Sequence, residues 1–181
     1  TDDGRGYVWH QINRCGKVVV ARDAAEDARL DELLRRAQHN GVRLEAIDRH
    51  ALREIEPRAR SWDRALYSPD TSSVDPLRLL QSLEQRARAE GVQLRYGVSY
   101  LGRDHDGVLT SEGRWPAGYL VNAAGLYADR VARDHGFGER YRILPFKGLY
   151  LYSDEPPGAL RTHVYPVPDL RNPFLGVHFT V

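Results

Sequence analysis

Apolar positions recur every second residue in some stretches of the 181-residue chain and every three to four residues in others. "GYVWHQINRCGKVVVAR" predicts two short strands, 7–12 and 17–21, joined by a turn at "NRCG". Asp23 with Glu26 forms a capping box, and Leu30, Leu33, Leu34 and Ala37 follow as an i, i+3, i+4, i+7 stripe ended by Asn40-Gly41. "VRLEAI" predicts a strand, and "DRHALREIEP" a brief helix capped by Asp48 and stopped at Pro57. "RALYSPDTSSVDP" predicts a strand that runs into a polar loop. Asp75-Pro76 opens a helix, because proline suits the first helical position. Leu77, Leu80, Leu83 and Ala87 line one of its faces up to Gly91.

From residue 92 the pattern predicts consecutive strands with turns at 105–107 and 112–113. A further strand, "YLVNAAG", runs straight into the helix "LYADRVARDHG". "ILPFKGLYLYS" then predicts a strand. After a Pro/Gly loop, "HVYPVPDLRNPFLGVHFTV" predicts two apolar, aromatic strands flanking a Pro/Asp/Arg turn. The order implies a mixed α+β and α/β fold in which two domains interleave. Residues 75–138 have α/β character, and the flanks 1–74 and 139–181 suggest an antiparallel sheet with helices on one face.

Composition narrows the classes. Hydrophobic residues make up 41% of the chain, enough for a core, and the formal net charge of +1 gives no nucleic-acid footprint. A single cysteine, Cys15, excludes an internal disulfide framework and suits a reducing, cytoplasmic compartment. Lys17 and Lys147 are the only lysines among many arginines. No methionine occurs, and the chain closes inside an apolar run, which predicts an internal piece of a longer protein. A strand cut from its neighbours predicts self-association through an open sheet edge.

Three features could carry chemistry. Ala123, Ala124 and Gly125 have almost no side chain, so a ligand could approach the backbone ahead of a helix; small residues equally let a helix pack tightly on a sheet. In "FLGVHFT", Leu175, Val177 and Phe179 share one face and Gly176, His178 and Thr180 the other. That second side faces either a flat ring or solvent. In "GLYLYS", Tyr150 and Tyr152 share one side of the strand. His163, His178 and Asp169 have no metal-ligand spacing, and Cys15 has no spaced partner for nucleophilic work.

The segments "NRCGKVVVA", "LREIEP", "SPDTSSVDP", "VNAAGLYADRVA", "ILPFKGLY" and above all "VYPVPDLRNPFLGVHFT" resemble the FAD-dependent oxidoreductases of the D-amino-acid-oxidase superfamily, nearest the L-2-hydroxyglutarate dehydrogenase/oxidase branch. They occur in that family's order over nearly the whole chain. The resemblance implies part of a Rossmann-like FAD domain interleaved with a substrate domain, and oxidation of an L-2-hydroxy acid to the 2-oxo acid by hydride transfer to flavin. It implies that Val98, Ala123, Ala124 and Gly125 touch the adenosine side of FAD, and that "PFKGLY" and "FLGVHFT" cover the isoalloxazine. It makes His178 the candidate base, Lys147 the carboxylate or flavin cation, and Tyr150 and Tyr165 pocket residues. Where the family commonly has Arg-Gly-Glu-Tyr, this chain has Lys147-Gly148-Leu149-Tyr150, which keeps the charge and loses the bidentate fork. Two alternatives stay open: a catalytically inactive piece without flavin, and an amine or amino-acid oxidase of the same superfamily. The expected partner is a small hydroxy acid; peripheral membrane contact of the parent protein is left open.

Overall fold

The computed structural model describes residues 12–169, 171–172 and 176–181. The predicted strand 7–12, except its last residue, lies outside them, as does Leu175 at the start of the last predicted strand. The chain forms two units, one joining the chain up to Glu90 with Asp154–Val181 and the other comprising Gly91–Ser153.

In the first unit, β2 (Lys17–Val20) is the backbone of a four-stranded sheet with β3 (Glu45–Ile47), β4 (Ala65–Ser68) and β9 (His163–Pro166), in the order β3-β4-β2-β9. β2 pairs antiparallel with β4 and parallel with β9, the latter aligning Lys17 with His163 and Val19 with Tyr165. The sheet is therefore mixed, where the pattern had suggested an antiparallel one. A parallel neighbour needs a long crossover, and the whole second unit lies between these strands in the chain. A small ribbon of β1 (Ile12–Asn13) and β5 (Ser73–Val74) stands beside it.

Helices cover both faces. α1 (Ala24–His39) starts where Asp23 Oδ1 accepts from the Glu26 amide at 2.8 Å, and Glu26 in turn accepts from the Arg22 amide. Its Leu30 is fully buried against Val19, Ala21, Leu66 and Val167. On the opposite face, Leu52 of α2 (Arg49–Ile55), with Ala59 from the turn that follows it, packs on Val18 and Ala65. The buried Glu56 closes α2 and reaches forward to Arg161 and Thr162, placing the chain that enters β9. α3 (Pro76–Ala89) forms behind Asp75 as its sequence predicts, but Leu77, Leu80 and Leu83 are exposed.

The second unit is built on an antiparallel meander, β6 (Tyr100–Asp104), β7 (Gly107–Thr110) and β8 (Gly113–Pro116). At Gly107 a Cβ would sit 2.0 Å from the Trp115 carbonyl oxygen, so the turn into β7 admits only glycine. α4 (Ala128–Asp134) follows a single 3-10 turn, and His135 just beyond it meets the Tyr100 hydroxyl at 3.1 Å. Two predicted strands are absent here: residues 118–124 and 143–153 carry no regular structure. A strand persists only when a neighbour takes up its backbone N–H and C=O groups, and among the described residues neither segment has one.

Candidate functional site

Strand alternation divides one face of the first unit's sheet into two ends. Val19, Leu66 and Val167 fill the end beneath α1. Beyond the helix the same face continues with Ser68, Lys17 and His163, brought into one row by the registers Lys17–Ser68 and Lys17–His163. Tyr165 stands at the border between the two ends. The last segment then adds itself to β9 through the antiparallel bridge between Val164 and Phe179, whose backbones exchange two hydrogen bonds. That bridge sets His178 beside Tyr165, and their rings stack with centroids 4.4 Å apart.

Gly16 gathers the loops around this polar end. Its positive φ of 72° turns the chain tightly, its amide donates to the Thr71 carbonyl at 2.9 Å and its carbonyl accepts from the His163 amide. A Cβ there would strike the Tyr67 ring at 2.8 Å. The outcome is an open cleft of about 540 Å³, whose lining includes Thr71, Ser73, His163, Tyr165 and Thr180.

The hydrogen bonds assign the imidazole of His163, which is only 4% exposed. Nδ1 lies 3.1 Å from the Val181 amide and must accept from it. The ring proton therefore sits on Nε2 and points at Cys15 Sγ, 3.3 Å away, while the thiol donates to the Gly16 carbonyl. Burial, then the charges of Lys17 and His178, pull the His163 pKa below its usual value, which keeps the ring neutral. Lys17 Nζ lies 5.3 Å from the Tyr165 ring centroid. Asp75, on the cleft wall, is occupied as the cap of α3, accepting from the amides of Leu77 and Arg78.

Among the residues singled out from sequence, His163 and Tyr165 line this cleft in the first unit, and His178 stacks on Tyr165. On the side carrying His178, that residue stacks on Tyr165, while Gly176 and Thr180 are exposed to solvent. The alternate neighbours Val177 and Phe179 are 88% and 58% exposed. Lys147 and Tyr150 fall in the second unit on the unpaired run 143–153, with Tyr150 80% exposed. Val98, half-buried, enters β6, and Ala123, Ala124 and Gly125 form an exposed bend in which Asn122 Oδ1 accepts from the Ala124 amide. Lys17, Ser68, Thr71 and the role of His163 escaped sequence reasoning. Alternation alone puts Lys17 on the face of Val19, but only the register across β4, β2 and β9 shows which residues complete its row.

Comparison with known proteins gives this site a setting. The family profile of the FAD dependent oxidoreductases, DAO, matches residues 5–181. Over 180 residues the chain is 38% identical to the mitochondrial L-2-hydroxyglutarate dehydrogenase of Caenorhabditis elegans, covering 92% of this chain and 41% of that protein. It is 30% identical to the L-2-hydroxyglutarate dehydrogenase of Escherichia coli, covering 94% of this chain and 42% of that protein. The chain thus spans about two fifths of the length of these relatives. Among solved structures, glycine oxidase from Bacillus cereus superposes over 86% of this chain and 44% of its own, with a TM-score of 0.73 at 21% identity, a likeness of fold. The chain belongs to the DAO family of FAD-dependent oxidoreductases.

Proposed function

We propose that the full-length protein oxidises an L-2-hydroxy acid of the 2-hydroxyglutarate type to its 2-oxo acid. The observation that carries this reading is the polar end of the sheet face, where His178 stacks on Tyr165, a residue of the cleft wall. The names of the relatives supply the substrate type. A bound flavin would supply the hydride acceptor for C2 of the substrate.

The chain's own residues support such a cofactor. In the second unit the bend at Ala123, Ala124 and Gly125 is exposed, and nothing lies within 4 Å of where a Cβ on Gly125 would be, so a nucleotide could lie against bare backbone. These residues, with Val98, would hold its adenosine side.

In the first unit His178 has the form of a general base. Its Nδ1 lies 2.9 Å from the Gly176 carbonyl, which can only accept, so the ring proton resides there. Nε2 then carries the lone pair that takes the proton of the substrate hydroxyl as the C–O bond becomes a carbonyl. Tyr165 backs the imidazole and fixes its plane. Lys147 and Tyr150 remain the resemblance-based choices for a carboxylate contact and a pocket wall in the second unit.

The test is a steady-state panel on the full-length protein, with L-2-hydroxyglutarate, L-malate and L-lactate set against glycine, sarcosine and L-proline, and the product identified by mass. Turnover of a hydroxy acid to a 2-oxo acid is the expected result. Turnover of amines alone contradicts the reading.

A further inference from the structure

The sheet's polar end contains a charge that the proposed chemistry leaves unassigned. His178 would take the hydroxyl proton, and His163 is spent on a backbone amide and a thiol. Lys17 has no such commitment. Among the described residues it meets the Tyr165 ring, and no carboxylate pairs with it. Asp75, the acid of the cleft wall, is held by the first turn of α3 and by Arg78. The neighbours along its row, Ser68 and His163, carry no formal charge once His163 is neutral. An ammonium on a central strand, beside the Ser68 hydroxyl and with no carboxylate partner among the described residues, leaves its charge open to an anion.

We propose that Lys17 binds the distal carboxylate of a dicarboxylic 2-hydroxy acid and so selects diacids over monoacids; this rests on the hydroxy-acid reading above. The spacing decides which carboxylate it takes. Lys17 lies on β2, His163 and Tyr165 lie on β9 beside it, and His178 lies on the segment bridged to the far side of β9. Two strand spacings across the sheet and a two-residue offset along it put the Cα atoms of Lys17 and His178 about 12 Å apart. The 1-carboxylate of a 2-hydroxy acid is bonded to the carbon that bears the reacting hydroxyl, so it stays near His178. The far carboxylate of a short diacid extends along the sheet towards β2. Tyr165, in contact with both Lys17 and His178, stands between the two positions.

Two variants of the full-length flavoprotein test this, Lys17→Met and Lys17→Arg. The readouts are KM and kcat for L-2-hydroxyglutarate and for L-2-hydroxybutyrate, which lacks the second carboxylate, and the Kd of glutarate as an unreactive diacid. Loss of one charge-assisted contact corresponds to about a 10- to 100-fold change. Lys17→Met is expected to raise KM for the diacid and the glutarate Kd by that factor and to leave the monoacid KM unchanged, with Lys17→Arg recovering most of the loss. Equal shifts for both acids, or no shift for either, overturn the assignment while leaving the hydroxy-acid reading intact. A wild-type protein that turns over only amines defeats that reading instead. If Lys17→Met does not fold, a second charge-removing variant decides. Lys17→Gln, which is also uncharged, gives the second reading: it should raise the diacid-to-monoacid KM ratio, which Lys17→Arg should keep near the wild-type value, and a ratio that Lys17→Gln leaves unchanged counts against the proposal.

Discussion

Glu56 has no exposed surface, yet its carboxylate accepts from three backbone amides: Arg58 at 3.1 Å, Arg161 at 2.6 Å and Thr162 at 3.2 Å. It thereby joins the end of α2 to the chain entering β9. Glu56→Ala strands these donors in a buried place and should cost about 3 kcal/mol, while Glu56→Gln, which keeps an acceptor oxygen, should cost less. Urea unfolding checks both. His163 gives a pH dependence. Its pKa is depressed in the fold from the usual 6.5, so the unfolded chain binds the proton more readily. Its contribution to stability is complete above that value and is lost as pH falls towards the folded pKa. The unfolding midpoint should therefore drop between pH 7.5 and 5 less steeply in His163→Gln than in the parent, since glutamine keeps an acceptor for the Val181 amide without titrating. At His178, replacement by glutamine should lower kcat by about 10²- to 10⁴-fold with little change in KM, the signature of a lost base.

The helices of the first unit were legible because their signals are local. Asp23, Asp48 and Asp75 each accept from the amides of the first turn, and Gly41 and Gly91 take the positive φ that ends α1 and α3. Asp23→Ala should cost about 1 kcal/mol, and Leu30→Ala about 2–5 kcal/mol, because Leu30 fills the layer between α1 and the sheet; differential unfolding of the two variants ranks them. Strand pairing was less legible because it depends on residues far apart in sequence. The meander β6-β7-β8 could be read, since its turns are short. The parallel seating of β9 on β2 could not, and neither could the polar row through Lys17 that this pairing creates. The runs 118–124 and 143–153 have strand-like composition without a partner among the described residues, so composition alone misled. His178 was found for its chemistry and Tyr165 for its place in a family-like run. Their contact follows from a single bridge at Phe179.

Across the whole molecule, apolar side chains remain in the open on both units. Leu77, Leu80 and Leu83 line α3, and Leu149, Leu151 and Tyr152 stand almost wholly exposed on the 143–153 run. Patches of this kind drive association in water, so the 181-residue chain produced alone should sediment as oligomers, and a monomer at high concentration would contradict this. Among the described residues no helix is long and apolar enough to cross a membrane. Central to the proposed function is a hydroxy acid giving up its C2 hydrogen beside the stacked His178 and Tyr165 of the first unit. Anaerobic mixing of the full-length flavoprotein with L-2-hydroxyglutarate, followed through the visible absorbance of the flavin, tests that most directly. Bleaching that slows when C2 carries deuterium is the expected result. A flavin that stays oxidised with every hydroxy acid and bleaches with glycine or sarcosine would contradict it.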